Sequence, residues 1–338
     1  MTRRTRILTP LALVAVLATA ACGDSGSSGT GGGETTGGAA SGDACAPVPG
    51  EQLVVLEDDQ QLQLADNIVP AVNAATASAQ PALIPALDAV SAALTTEELI
   101  ELNAGVDLER RTVDEVADEW VEANGVTEGL EQGSGSVVIG AADFSESQIL
   151  ATIYSRALAA AGFDASVRTV GNRELYLPAL RSGSEIQVFP EYLATVTEAL
   201  NAEFNGPDAA PVASSDAQET AGAARPLADQ AGLVLGEPSE AVDQNAFAVT
   251  REFADQVGVS TLSELADACG DGSLVLGGPE ECPTPARPFC QPGLEETYGL
   301  EFDRFVPLDA GGPLTKAAIR QGEVSIGLVF SSDAALAQ

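Results

Sequence analysis

Any chemistry in this chain has to be done without histidine, because none occurs among its 338 residues. Ser-His-Asp and Cys-His nucleophile systems are thereby excluded, and so are histidine-ligated metals. Proton transfer near neutral pH would fall to perturbed carboxylates, Cys, Tyr or Lys. Five cysteines occur: Cys22, Cys45, Cys269, Cys282 and Cys290. None forms a C-x-x-C pair, which argues against zinc. Setting Cys22 aside, the other four allow three pairings. The favoured one joins Cys282 to Cys290 across the Pro-rich loop "ECPTPARPFC" and leaves Cys45 with Cys269, a staple from the start of the folded region to a distant helix end. The other reading keeps one or both pairs reduced. The residues point to no metal and no cofactor, and the missing histidine makes an enzyme less expected without excluding one.

The charge balance narrows the partners. Fifteen Lys and Arg stand against 50 Asp and Glu, a net charge of −35. A basic footprint for nucleic acid is missing, and anionic lipid would be repelled. An acidic surface keeps a protein soluble and enriches cations near it. Apolar content of 45% supports real cores in a chain long enough for two lobes.

The elements that would position a site follow from periodicity. After residue 81 the apolar residues recur at helical steps, and "TTEELIELN" and "TVDEVADEWVEANG" open with capping-box patterns, Thr95 to Glu98 and Thr112 to Glu115. Gly125 stops the second helix, and "LEQGSGS" (130–136) reads as a linker. From Val137 onward strands alternate with helices: "VVIG", a helix opened by Ser145 and Gln148, "ASVRTVG", "RELYLPALRSG", "IQVFPEY", and onward to the strand that ends at Phe330. This predicts an α/β fold with mostly parallel sheets. Two such series, separated near Val242, predict two lobes: 137–242 and 243–338. No fixed-period repeat is present.

The N-terminus "MTRRTRILTPLALVAVLATAACGDS" resembles a bacterial lipoprotein signal, with Arg3, Arg4 and Arg6 as its basic region and "TAAC" as its lipobox. The resemblance implies cleavage after residue 21 and lipidation of Cys22. Losing three Arg and no acid takes the net charge from −35 to about −38. Residues 23–43, "GDSGSSGTGGGETTGGAASGD", read as a flexible tether within a linker region at 22–48. The expectation is a protein held by lipid on the extracytoplasmic face of the cell membrane, where disulfides persist.

"VVIGAADFSESQIL", "NRELYLPALRSG", "VFPEYLAT", "DQNAFAVT", "LEETYGLEF" and "GPLTKAAIRQGEVSIGLVFSSDAAL" resemble, in that order, the substrate-binding proteins of ABC importers for glycine betaine, choline and related osmolytes. The family pattern continues past its last strand into a stretch that this chain carries at the other end, as "EQLVVLEDDQQLQLADNIVPAVN" and the helices up to residue 129. The chain thus resembles a circular permutant, with 49–129 equivalent to the family C-terminus; a fused remnant of a second copy is the alternative. Permutation predicts that Gln338 lies near Glu51 and that the strand after Val324 is interior.

The resemblance implies a two-lobed periplasmic-binding-protein-like fold of type II. It further implies a small zwitterionic or quaternary-amine ligand in the interlobe cleft, and an ABC permease with its ATPase as partners of a monomer. It places Tyr192 in an aromatic cage and Thr195 as a polar contact. Phe247, Phe189 and Thr315 stand at or near positions where relatives carry Tyr, and Ser147 where they often carry Gln. Asn245 opens the "NAFAV" strand, and Phe144 sits at a strand-to-helix turn whose helix N-terminus could receive a carboxylate. Gln148, Tyr176, Glu191, Phe330 and Asp333 are read as structural: a cap, two buried supports, a strand core residue and a turn cap. Competing readings are the same fold with another polar solute such as an amino-acid derivative, a non-transport sensor, and an extracellular enzyme.

Overall fold

The computed structural model describes residues 45–336, apart from 172, 207, 208, 271, 285 and 286. Cys22, the leader, the tether and Gln338 lie outside the described residues. Ten strands order the fold: β1 (Leu53–Leu56), β2 (Ile68–Asn73), β3 (Ser136–Ala141), β4 (Asp164–Thr169), β5 (Val188–Tyr192), β6 (Leu233–Leu235), β7 (Asn245–Thr250), β8 (Leu274–Pro279), β9 (Phe302–Leu308) and β10 (Ile326–Phe330). They form two five-stranded sheets, β4-β3-β5-β2-β6 in the first lobe and β1-β7-β10-β8-β9 in the second.

Both sheets are mixed, which departs from the mostly parallel expectation. β3 runs parallel to β4 and β5, and β8 runs parallel to β9 and β10. β2 is antiparallel to β5 and β6, and β7 is antiparallel to β1 and β10. The physical reason lies in the connections. A strand reached through a returning helix must run parallel to its predecessor. β2 and β7 instead enter their sheets directly from the other lobe, so no helix sets their direction. β10 lies third of five and is buried from Ile326 to Val329, so the late strand is interior.

Helix boundaries follow the local chemistry in most places. The helices Thr96–Asp107 and Val113–Asn124 both carry the expected capping box, and Gly125 closes the second in the left-handed region at φ 63°. The helix Ser145–Ala160 differs: its N-cap is Phe144, which has no side-chain cap bond. Ser147 is drawn into the preceding loop, where its Oγ accepts from the Ala142 N–H at 2.8 Å. "PGLEETYG" folds as a short helix Gln291–Gly293 that widens into a π-turn over Leu294–Tyr298.

The first-lobe core packs the helices Leu83–Ser91, Thr96–Asp107, Val113–Asn124 and Ser145–Ala160 around Trp120, Tyr154 and Val137. The second-lobe core gathers Leu56, Phe247, Phe253 and Leu276. Both disulfides, Cys45–Cys269 and Cys282–Cys290, lie in this second lobe. Among the described residues no helix is long and apolar enough to cross a membrane.

The chain crosses between lobes through residues 57–67 and again at 242–244, and the two crossings pair with each other. Asn67 and Val242 form an antiparallel bridge, and the Asp243 N–H donates to the Asp66 carbonyl at 3.2 Å. A third link comes from the end of β10. Ser331 exchanges bonds with Gln244, and the Asn103 amide on the first lobe donates to the Ser332 carbonyl at 2.9 Å.

Candidate functional site

Ligands of open α/β sheets sit beyond the carboxyl ends of parallel strands. In the first lobe β3 ends into the loop Ala142–Phe144, and β5 ends at Tyr192, where the helix Leu193–Asn205 begins. In the second lobe β10 ends at Phe330, directly opposite Asn245 at the start of β7. These ends face one another across the crossings.

A cavity of about 470 Å³ lies there, lined from the first lobe by Tyr192, Thr195 and Glu198, from the crossings by Gln63, Asp66 and Asp243, and from the second lobe by Asn245, Phe289 and Phe330. Tyr192 also borders a neighbouring cavity of about 350 Å³ that contains Phe144, Arg173, Tyr176 and Phe189. Phe144 and Tyr192 are stacked, with centroids 6.5 Å apart and planes 28° apart, and Phe144 is 45% exposed. Beneath them Tyr176 stacks on Phe189 at 3.7 Å. A further cavity of about 560 Å³, between β1 and the helix Thr96–Asp107, is lined among the described residues by no ring and no carboxylate and offers a cation nothing.

Carboxylates crowd around Tyr192. Its hydroxyl donates to Glu146 Oε1 at 2.6 Å, and the Asn103 amide donates to Glu146 Oε2 at 2.7 Å. Burial pushes Glu146 above the ordinary carboxylate range, against the lowering effect of these bonds. Asp243, bonded by the Ser332 hydroxyl at 2.8 Å, is pushed well above that range by burial and then by the charge of Glu146. Asp66 accepts from both the N–H and the hydroxyl of Thr195, yet burial still raises it. The Tyr192 phenol is raised in turn, first by burial and then by Glu146, Asp243 and Asp66. Among the described residues no Lys or Arg lines the 470 Å³ cavity. Arg173, in the adjoining one, is already engaged by the fully buried Glu191 at 3.1 Å. The arrangement presents ring faces beside a cluster of carboxyl groups, the two features that an organic cation without hydrogen-bond donors would engage. Among the described residues no group of three or more His, Cys, Asp or Glu is placed to hold a metal ion.

The structure brings Tyr192, Thr195 and Asn245 together and sets Phe144 beside them. Phe189 forms the floor of the adjoining cavity and is 1% exposed. It does not bring in Phe247, Ser147 or Thr315. Phe247 pairs with Leu328 two residues deeper in the sheet than the Asn245–Phe330 pair, and lies in the second-lobe core. Ser147 is fully buried in its loop contact, and Thr315 is fully buried against Asp309, whose carboxylate caps the helix Pro313–Arg320. Sequence reasoning missed Phe289, Asp66, Glu146 and Asp243, and read Phe330 as core. Phe330 had one signal, its position as the last residue of a strand before "SSD". Asp333 accepts from the Ala335 N–H at 2.8 Å, the expected turn cap, and also pairs with Lys316.

No curated protein matches the chain. Residues 48–123 and 135–338 match the family described as the substrate binding domain of ABC-type glycine betaine transport systems. That family is a non-catalytic component of transport, and its match extends over both lobes and both crossings. The chain belongs to the family of substrate-binding domains of ABC-type glycine betaine transport systems.

Proposed function

We propose that this protein binds a small quaternary-ammonium osmolyte between its lobes and hands it to an ABC permease, with no turnover of the ligand. The observation that carries this is the 470 Å³ cavity, where Tyr192 and Phe330 meet Asp66 and Asp243 and, among the described residues, no basic side chain intrudes. Each ring face contributes about 0.5–1 kcal/mol to a cation when exposed and about 2 when desolvated. Micromolar affinity requires about −8 kcal/mol, so several rings and at least one carboxylate act together. The cluster of carboxyl groups, whose ionised forms a bound cation would stabilise, favours a net cation of the choline type over a zwitterion. A betaine carboxylate would have to draw Arg173 away from Glu191. Calorimetry with choline, glycine betaine, proline betaine and carnitine tests this. Choline is expected to bind most tightly; no binding and no rise in melting temperature with any of them would sink the assignment.

Two further readings belong to the same proposal. Cys22 carries a lipid, and residues 23–43 tether the lobes to the extracytoplasmic face of the membrane. The chain is a circular permutant of its family. Its support is the two-part family match and the placement of the last described residue: Leu336 borders the same cavity as Gln52 and Leu53. The segment before β1 also lies on the second lobe, where the Gly50 N–H donates to the Arg320 carbonyl at 2.9 Å.

A further inference from the structure

Among its described residues the loop closed by Cys282 and Cys290 adds no strand to either sheet, yet it reaches the cavity. Phe289, next to the second cysteine, is half-buried and lines both the 470 Å³ cavity and an adjoining one of about 540 Å³. With Asn245 and Phe330 it is the wall shared by the two volumes. Its backbone is fixed from both sides. The Cys282 and Cys290 side chains are 1% and 4% exposed, anchored in the second-lobe core. From the crossing, Gln63, itself 5% exposed, donates its side-chain amide to the Phe289 carbonyl at 3.0 Å. The Gln63 N–H is in turn held by Asp58 at 2.7 Å. Three residues beyond the loop, Gly293 lies so close to Leu62 that a Cβ would come within 2.5 Å of its methyl carbon. The loop and the crossing are therefore packed as one unit, with a single ring turned to the cavity.

The geometry points to Phe289 as a specificity-determining ring of the site, a second-lobe wall for the quaternary ammonium that the Cys282–Cys290 disulfide and Gln63 hold in place. This rests on the ligand reading above and adds a residue and a dependence to it. A ring on a loop tied at one end by sulfur keeps its position only while the disulfide is intact. Opening the disulfide frees the ring and weakens binding, without touching any other cavity residue.

The test is calorimetric titration of the full chain with choline, using wild type, Phe289→Ala, Phe289→Leu, Phe289→Tyr, Tyr192→Ala, Cys282→Ser/Cys290→Ser, and the triple variant that adds Phe289→Ala, each with its melting temperature. Loss of one desolvated ring face corresponds to a weakening of about 5- to 30-fold. Phe289→Ala and Phe289→Leu are both expected to show it, since Leu keeps bulk but has no ring face, while Phe289→Tyr stays within about threefold of wild type. The cysteine pair variant is expected to weaken binding when Phe289 is present and to add nothing once Phe289→Ala is made. If Phe289→Ala binds choline within about twofold of wild type while Tyr192→Ala loses it, Phe289 is not a site ring and the ligand reading stands. If the cysteine variant adds an equal loss in both backgrounds, the disulfide does not act through the ring. If wild type binds neither choline nor glycine betaine nor tetramethylammonium, the inference and the ligand reading fall together.

Discussion

Tyr192 offers two separable things, a ring face and a hydroxyl, and the structure assigns them different work. The ring borders both first-lobe cavities and stacks on Phe144. The hydroxyl points away, donating to the buried Glu146 at 2.6 Å. Tyr192→Phe removes only the second. A buried acceptor left without its donor costs about 1–3 kcal/mol. At about 2–4 °C per kcal/mol for a chain of this size, a loss near 2 kcal/mol lowers the melting temperature by about 4–8 °C. Choline affinity is expected to stay within about threefold, because phenylalanine retains the ring face. Tyr192→Ala removes the face as well and is expected to weaken binding by about 30-fold, the equivalent of about 2 kcal/mol. Differential scanning calorimetry and titration calorimetry on the two variants read the two effects separately. If Tyr192→Phe loses as much affinity as Tyr192→Ala, the residue acts through its hydroxyl, and the cation–ring reasoning for this site is wrong.

Glu146, Asp66 and Asp243 have folded-state pKa values raised chiefly by burial, so the folded chain binds more protons than the unfolded one above the ordinary carboxylate range. Ligand-free stability is then expected to fall as pH rises from that range through the raised values, while choline affinity rises over the same interval; pH-dependent melting with and without choline shows the opposed slopes, and Asp243→Asn flattens both. Replacing Cys45 and Cys269 together by Ala is expected to cost about 2–5 kcal/mol in urea unfolding. Choline affinity should not change, because neither side chain lines the cavity. A chain reordered to begin at residue 135, run through 336 into 49, and end at 129 is expected to melt cooperatively and to bind choline like the original. Failure to fold would count against permutation.

The fold was legible where local chemistry is decisive. Capping boxes at Thr95 and Thr112 and the left-handed Gly125 set helix ends from three or four residues of sequence. The apolar run to Phe330 showed an interior strand. Strand direction was not legible for β2 and β7, because it depends on which lobe the chain arrives from. Among the residues that line the 470 Å³ cavity, Tyr192 and Thr195 were singled out because they sit in one short stretch, "VFPEYLAT". Thr315 and Ser147 misled because their hydroxyls serve backbone groups a few residues away, a use that looks the same in sequence as a ligand contact. Phe247 misled because strand periodicity gives the face but not the depth. Asn245 and Phe247 share a face, and only the first reaches the cavity.

The carboxylates were hidden for a different reason. Glu146 stands in the first turn of a helix, where an acid is ordinarily explained by the helix dipole. Its actual partners come from three other places in the chain: Tyr192, Asn103 and, through the Asn103 amide, the Ser332 carbonyl. Ser332 reaches on to Asp243, which lies in the second crossing beside Asp66 in the first. The network thus runs from the ring at the cavity, through the acid, to the segments joining the lobes. On the proposed reading, a cation against Tyr192 would favour the ionised forms of Glu146 and Asp243, which burial alone disfavours. The ionised Glu146 strengthens its bonds from Tyr192 and Asn103, and the ionised Asp243 its bond from Ser332. On the proposed reading, ligand charge would reach the segments that join the lobes directly at Asp66 and Asp243, which line the cavity, and through Tyr192 at Glu146. Such a coupling would act through ionisable acids at the crossings, where Asp66 and Asp243 stand half-buried.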